Sequence, residues 1–91
     1  MPALHRTLTI VNERGLHARA SAKFVECVEG HDASARVSRG GESVGGDSIM
    51  GLLMLAAAKG SEIEVTTDGP EAEALMNCLA NLVETKFGEG Q

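Results

Sequence analysis

The feature that most constrains this chain is a repeated switch of hydrophobic period. Leu8 and Ile10 alternate with Thr7 and Thr9, Ala33, Ala35 and Val37 with Ser34, Arg36 and Ser38, and Ile63 and Val65 with Glu62, Glu64 and Thr66. Period-two alternation gives a strand one buried face and one wet face. Between these stretches the period becomes helical. Ala18, Ala22, Val25 and Val28 mark a helix over about 18–29 that stops at Gly30. Asp47 or Ser48 caps a second helix, whose inward stripe is Ile49, Leu52, Leu53 and Ala56 and which ends at Lys59-Gly60. Ala72, Leu75, Leu79, Leu82 and Val83 mark a third helix reaching about residue 86, with Pro70 suited to its first position.

The first strand spans about 4–11. Gly40-Gly41 suits a two-residue hairpin in which both central positions take positive φ, joining the second strand to a short third one at Glu42-Ser43-Val44. The element order is therefore β-α-β-β-α-β-α. Half-wet strands favour an antiparallel sheet with helices on its dry side, so the expected class is α+β, a two-layer sandwich. Ninety-one residues make one domain, 1–91, and the tail 88–91 (Gly-Glu-Gly-Gln) reads as frayed.

Composition removes several function classes. The net charge is −5, and Phe24 and Phe87 are the only aromatics, which argues against a nucleic-acid partner. The longest near-apolar run, Ile49 to Ala58, is short of the ~20 residues a membrane span requires. The start, MPALHRTLTIV, lacks the apolar block of a signal peptide, so a cytoplasmic protein is expected. Cys27 and Cys78 form no CxxC pair and have no His at ligand spacing, so no metal site is expected and both read as small apolar thiols. Charge is uneven along the chain. Arg6, Arg14, Arg19, Lys23, Arg36 and Arg39 lie in the first half, whereas Lys59 and Lys86 face eight acids in the second. An anion is therefore expected near Arg14, Arg19 and Lys23.

The residues ERGLHARAS, Glu13–Ser21, place His17 where the first helix begins. A His can attack a phosphoryl donor through a ring nitrogen and hold the group as a labile phosphoramidate. The first N–H groups of the helix are unpaired within it and face such an anion, and its dipole contributes about 0.3–1 kcal/mol. Arg19 can add a charge-assisted hydrogen bond of about 1.5–3 kcal/mol. Gly15 permits the turn, and Leu16 can anchor the loop so that His17 points outward. On these residues alone His17 is equally readable as a surface residue at a loop end. His5, in a strand margin, and His31, in a turn, read as solvated. The second feature is GGDSIMGLL, Gly45–Leu53, where Ile49, Met50, Leu52 and Leu53 are apolar on more than one face of a short helix. Part of that surface suits a partner, and Met suits one that accepts several. A phosphate on Ser48 would meet the helix start and alter the rim of the patch.

With GLHARAS at 15–21, SIMGLLMLAA at 48–57 and the βαββαβα order, the chain resembles the HPr family over about residues 5–87. These are the histidine-containing phosphocarriers of the bacterial phosphoenolpyruvate-dependent phosphotransferase system. The resemblance implies an open-faced β-sandwich, a four-stranded antiparallel sheet covered on one side by three helices. It implies phosphorylation of His17 on Nδ1 by enzyme I and transfer to an enzyme IIA domain, the protein acting as a monomer. Arg19, Ala18 and Asn12 would stabilise the phosphate, and Ser48 matches the serine modified by HPr kinase/phosphorylase. Ala22, Ile49, Met50 and Leu53 would dock partners. No cofactor is implied. Ala20 stands where many members have Pro, and Glu26 and Glu29 lie where many have Lys. Fewer local cations make a nitrogen-related branch an alternative to sugar uptake. Two other readings are a small acylphosphatase-like hydrolase, which would use Arg14, Arg19 and Asn12 and leave His17 idle, and a binding domain without covalent chemistry.

Overall fold

In the computed structural model, which describes residues 3–89, the chain forms β1 (Leu4–Thr9), α1 (Ala18–Glu29), β2 (Ser34–Arg39), β3 (Glu42–Gly45), α2 (Ile49–Met54), β4 (Glu62–Asp68) and α3 (Ala72–Glu84). A 3-10 turn, Lys86–Gly88, follows. The sheet order is β1-β4-β2-β3, and every neighbouring pair is antiparallel. Register follows the apolar alternation. Leu8 lies opposite Ile63 and Val37 opposite Val65, so all four side chains enter the same buried face. The opposite face carries Thr7, Glu62 and Glu64 in solvent. This is the expected open-faced α+β architecture, with three helices against the four-stranded sheet.

One hydrophobic cluster joins the layers. Phe24 and Val28 of α1, Leu52 of α2 and Leu75, Leu79 and Val83 of α3 meet Ile10, Val37, Ile63 and Val65 beneath them. Gly51 lies in the interior of α2, where glycine weakens a helix, and packing explains it. A Cβ there would come within 3.0 Å of Val44 on β3, so Gly51 lets this short helix lie close to the sheet edge.

Several local expectations need correction. The buried face of α1 is Ala20, Ser21, Phe24, Val25 and Val28, whereas Ala18 is exposed and Ala22 half-buried. In the Gly40-Gly41 hairpin only Gly40 takes positive φ, +62°, the pattern of a type II′ turn. Helix α2 stops at Met54 rather than Lys59, because Ala56 turns to φ +52°. Its buried residues shift accordingly. Leu55 and Ala57 enter the core, while Ala56 and Ile49 are exposed. Ser48 is the cap of α2, its Oγ accepting the Gly51 N–H at 3.0 Å. Pro70 precedes the cap Glu71 of α3 and is not its first helical residue.

The early end of α2 serves the β1–α1 loop. The segment leaving α2 runs beside that loop and is stitched to it by backbone bonds. Ile10 N–H donates to Ser61 O, Gly60 N–H to Ile10 O and Leu16 N–H to Ala57 O, at 2.8, 2.8 and 2.9 Å. Lys59 adds an exposed ion pair to Glu13 at 2.7 Å, which holds the Glu13 carboxyl below its ordinary pKa through that hydrogen bond and charge.

The thiols Cys27 and Cys78 are free and half-buried. Burial, and a hydrogen bond with the Cys78 thiol across the packed α1 and α3 helices, push the Cys27 thiol up to about 12.

Candidate functional site

The site is built at the start of α1. His17 is its N-cap, with φ −80° and ψ −176°, and its backbone is held from both sides. Its N–H donates to Gly15 O at 2.9 Å, and its carbonyl accepts the Ser21 N–H at 2.8 Å. Leu16 beside it is buried and fixed by its bond to Ala57 O. Gly15 makes the turn possible in two ways. It sits at φ +67°, and a Cβ on it would come within 2.6 Å of Ala57 O.

The imidazole has a defined partner at each nitrogen. Nδ1 accepts the Arg19 backbone N–H at 3.3 Å, and Nε2 hydrogen-bonds the Glu89 carboxylate. A backbone N–H only donates and a carboxylate only accepts, so both contacts select the same neutral tautomer, with the proton on Nε2 and the lone pair on Nδ1. The His17 and Glu89 side chains keep only 17% and 11% of their surface in solvent, so water competes weakly for this contact.

Asn12 is fully buried in the same loop. Its Nδ2 donates to Gly15 O at 2.9 Å and to Glu89 Oε1 at 3.0 Å, tying the loop to the C-terminal segment. Turning the amide over would set its oxygen against two acceptors, so the orientation is settled chemically. Oδ1 has no hydrogen-bond partner among the described residues, an uncompensated acceptor of the kind that costs about 1–3 kcal/mol. Burial tends to raise the Glu89 pKa. The hydrogen bonds from Asn12 and His17, and the field of Arg14, outweigh it and hold the carboxyl below its ordinary range.

Beside the ring opens a cleft of about 320 Å³ lined by Arg14, Arg19, Lys23, Gly88 and Glu89. The three cations named from charge distribution thus converge here. Arg19 is exposed, whereas Lys23 is half-buried and donates to Phe87 O at 2.5 Å. The residues proposed for docking form a separate surface on and beside α2, which packs against α1. Ile49 and Met50 are exposed, Leu53 and Ala22 are half-buried, and Met54 extends the patch although the motif reading omitted it. Ser48 is half-buried at its edge.

Glu89 is the site residue that sequence reasoning missed. The tail was expected to fray from Gly88, yet Gly88 and Glu89 are held, whereas Gly90 and Gln91 lie outside the described residues. Phe87, fully buried at φ +54°, anchors the segment. Gly88 N–H bonds to Thr85 O and Glu89 N–H to Lys86 O, both at 3.0 Å. The one available signal was a large aromatic placed so near the end of the chain.

The family model for the "PTS HPr component phosphorylation site" matches residues 4–85. The chain belongs to the HPr family. A phosphocarrier protein HPr from Cupriavidus necator is 44% identical over 88 residues, covering 97% of this chain and 99% of that protein. A phosphocarrier protein NPr from Shewanella violacea is 36% identical over 89 residues, covering 98% of each. The crystal structure of HPr-C-His from Thermoanaerobacter tengcongensis has a TM-score of 0.90 at 32% identity, covering 94% of this chain and 97% of that one. HPr-family membership makes this a phosphocarrier of the phosphotransferase system.

Proposed function

We propose that the chain carries a phosphoryl group on Nδ1 of His17, taking it from phosphorylated enzyme I and giving it to an enzyme IIA component. The observation that carries this reading is the His17 ring itself, with its Nδ1 lone pair directed at the start of α1 beside the Arg14, Arg19 and Lys23 cleft. In the step, the Nδ1 lone pair forms a bond to phosphorus. The phosphorus–nitrogen bond of the donor breaks, and its electron pair returns to the donor imidazole. The Ala18 and Arg19 N–H groups and the Arg19 guanidinium then receive the phosphoryl oxygens, the Arg19 N–H exchanging the ring nitrogen for an oxygen. Asn12 supports the loop from below. These donors stabilise the group without enclosing it, as a carrier requires. Chemistry on either side belongs to the partner proteins, so the chain is not itself an enzyme on this reading.

The α2 patch, Ile49, Met50 and Leu53 with Ala22, serves as the common docking surface. Ser48 at its rim is the site of regulatory phosphorylation by an HPr kinase/phosphorylase. One domain over 1–91, acting as a cytoplasmic monomer, suffices for this exchange. The NPr relative keeps the nitrogen-related branch open beside sugar uptake.

Incubation with phosphoenolpyruvate and enzyme I, followed by intact-mass and acid-lability analysis, tests the central step. One acid-labile phosphoryl group is expected on the native protein and none on His17→Ala. A native protein that stays unmodified with every enzyme I tried sinks the carrier reading, and an adduct that hydrolyses without an acceptor as fast as it forms favours a hydrolase. Ser48→Asp is expected to slow transfer while leaving the melting temperature nearly unchanged; equal rates in the two proteins remove the regulatory role.

A further inference from the structure

The ring of His17 is held at its far nitrogen by a carboxylate that neither the family motif nor the charge pattern predicts. Four features make that contact a built one. Phe87 is fully buried and anchors the tail in the core. Lys23 clamps its carbonyl, and Asn12, itself fully buried, donates to the carboxylate oxygen not used by His17. The backbone also passes through three successive positive-φ residues, Lys86, Phe87 and Gly88, at 58°, 54° and 74°. Non-glycine residues resist that conformation, so the tail accepts local strain in order to bring Glu89 back over the loop.

The chemistry gives that placement a purpose. When Nδ1 attacks phosphorus with Nε2 still protonated, the ring becomes a cationic phosphoimidazolium. Its surroundings are already positive, with Arg14 on the loop and Arg19 and Lys23 on α1. Those cations favour the incoming phosphoryl oxygens and disfavour the charged ring. Glu89 meets the ring at Nε2, across from the reacting Nδ1, and although it also lines the cleft it offsets the new positive charge there.

We propose that Glu89 is a positioning residue for phosphoryl transfer, whose carboxylate keeps the proton on Nε2 of His17 and stabilises the cationic ring formed as Nδ1 takes up phosphorus. The proposal rests on the phosphocarrier reading. It assigns to the C-terminal segment a role resembling that of the buried carboxylate behind a catalytic histidine, which orients the ring and carries no proton itself.

The test compares the native protein with Glu89→Gln and Glu89→Asp as substrates of phosphorylated enzyme I across pH, with 15N and 31P NMR of the phosphorylated ring. Glu89→Gln keeps the shape and an acceptor and removes the charge. It is expected to lower kcat about tenfold with KM little changed, and to lower by about one unit the pH at which the phosphorylated ring gives up its Nε2 proton. Glu89→Asp is expected to restore part of both effects, and all three proteins should melt within a few degrees of one another. Unchanged kcat and an unchanged Nε2 titration in Glu89→Gln overturn the proposal while leaving the carrier reading intact. Faster transfer in Glu89→Gln also overturns it, since Glu89 would then be a competitor of the phosphoryl group. A native protein that enzyme I cannot phosphorylate overturns both.

Discussion

Replacing Gly15 by Ala tests how firmly the loop holds His17, and the structure supplies the magnitude. An alanine at φ +67° carries the left-handed penalty, about 1–2 kcal/mol. Its Cβ would lie 2.6 Å from Ala57 O and 2.9 Å from Ala58 Cα, and both are backbone atoms that no rotamer change can move. The same Ala57 carbonyl accepts the Leu16 N–H at 2.9 Å, so retreat from the collision breaks that bond and costs a further ~0.5–1.5 kcal/mol. The reduced freedom of the unfolded chain returns about 0.4–1 kcal/mol. The net loss is about 2 kcal/mol, a fall in melting temperature of roughly 8–16 °C for a domain of this size. Gly40→Ala is the matched control. It has φ +62° and nothing within 4 Å of the added carbon, so only the backbone penalty remains, about 1 kcal/mol or less after the same entropy gain. Urea and thermal unfolding of both variants measure the difference. Below its transition Gly15→Ala should also accept phosphoryl groups from enzyme I at least about tenfold more slowly, because the shifted loop misplaces the ring. A Gly15→Ala protein no less stable than Gly40→Ala would refute the claim that contact with the segment leaving α2 fixes this loop.

Other consequences follow from single residues. Ala56, exposed and at φ +52°, occupies a conformation suited to glycine, so Ala56→Gly should raise stability by about 0.5–1 kcal/mol, read as a melting temperature several degrees higher; no rise would mean that the turn does not hold this strain. The Glu89 carboxyl, with its pKa depressed below the ordinary 4.5, contributes stability that is fully present above that value and is lost as pH falls through the lower folded value; its carboxyl 13C signal should titrate below 4.5, and Asn12→Ala, which removes a donor, should move the midpoint back up. Cys27, with its thiol pushed up to about 12, should react with a thiol reagent at pH 8 far more slowly than an unhindered cysteine, and rapid labelling of the folded protein would show that the α1–α3 contact opens readily.

How much of this could be read from the chain differs by element, for physical reasons. Helix α1 has the expected ends because His17 and Gly30 cap it locally, His17 Nδ1 accepting the Arg19 N–H and the Gly30 N–H donating to the last carbonyls of the helix. Its buried face was misphased because alanines occur at several helical positions and their small side chains do not say which is inward; the fully buried Phe24 was the better guide. The end of α2 was overrun for the opposite reason. Residues 55–58, Leu-Ala-Ala-Ala, are excellent helix formers, yet the backbone turns to positive φ at Ala56, and the next carbonyl, of Ala57, accepts the long-range Leu16 N–H. The strands fared well because alternation against one core fixes which residues face inward, and a one-residue slip would expose every one of them.

The site divides in the same way. His17, Arg19 and Gly15 sit within one short motif, so their proximity was legible before any fold was known. Glu89 is brought to His17 from 72 residues away, and Gly-Glu-Gly-Gln has no period and no apolar face of its own. The compositional rule for terminal segments therefore pointed to fraying. What that rule omitted is that a tail takes its order from its anchor rather than from its own residues. Phe87 is one of the chain's two aromatics, and leaving it in water would cost about 1.5–3 kcal/mol relative to burying it. That gain is large enough to carry Gly88 and Glu89 along with it. Once Phe87 is seated and Lys23 holds its carbonyl, the next two residues can only lie beside the β1–α1 loop, where Asn12 and His17 offer two donors to one carboxylate. The fourth charged group of the site is thus set by a core contact.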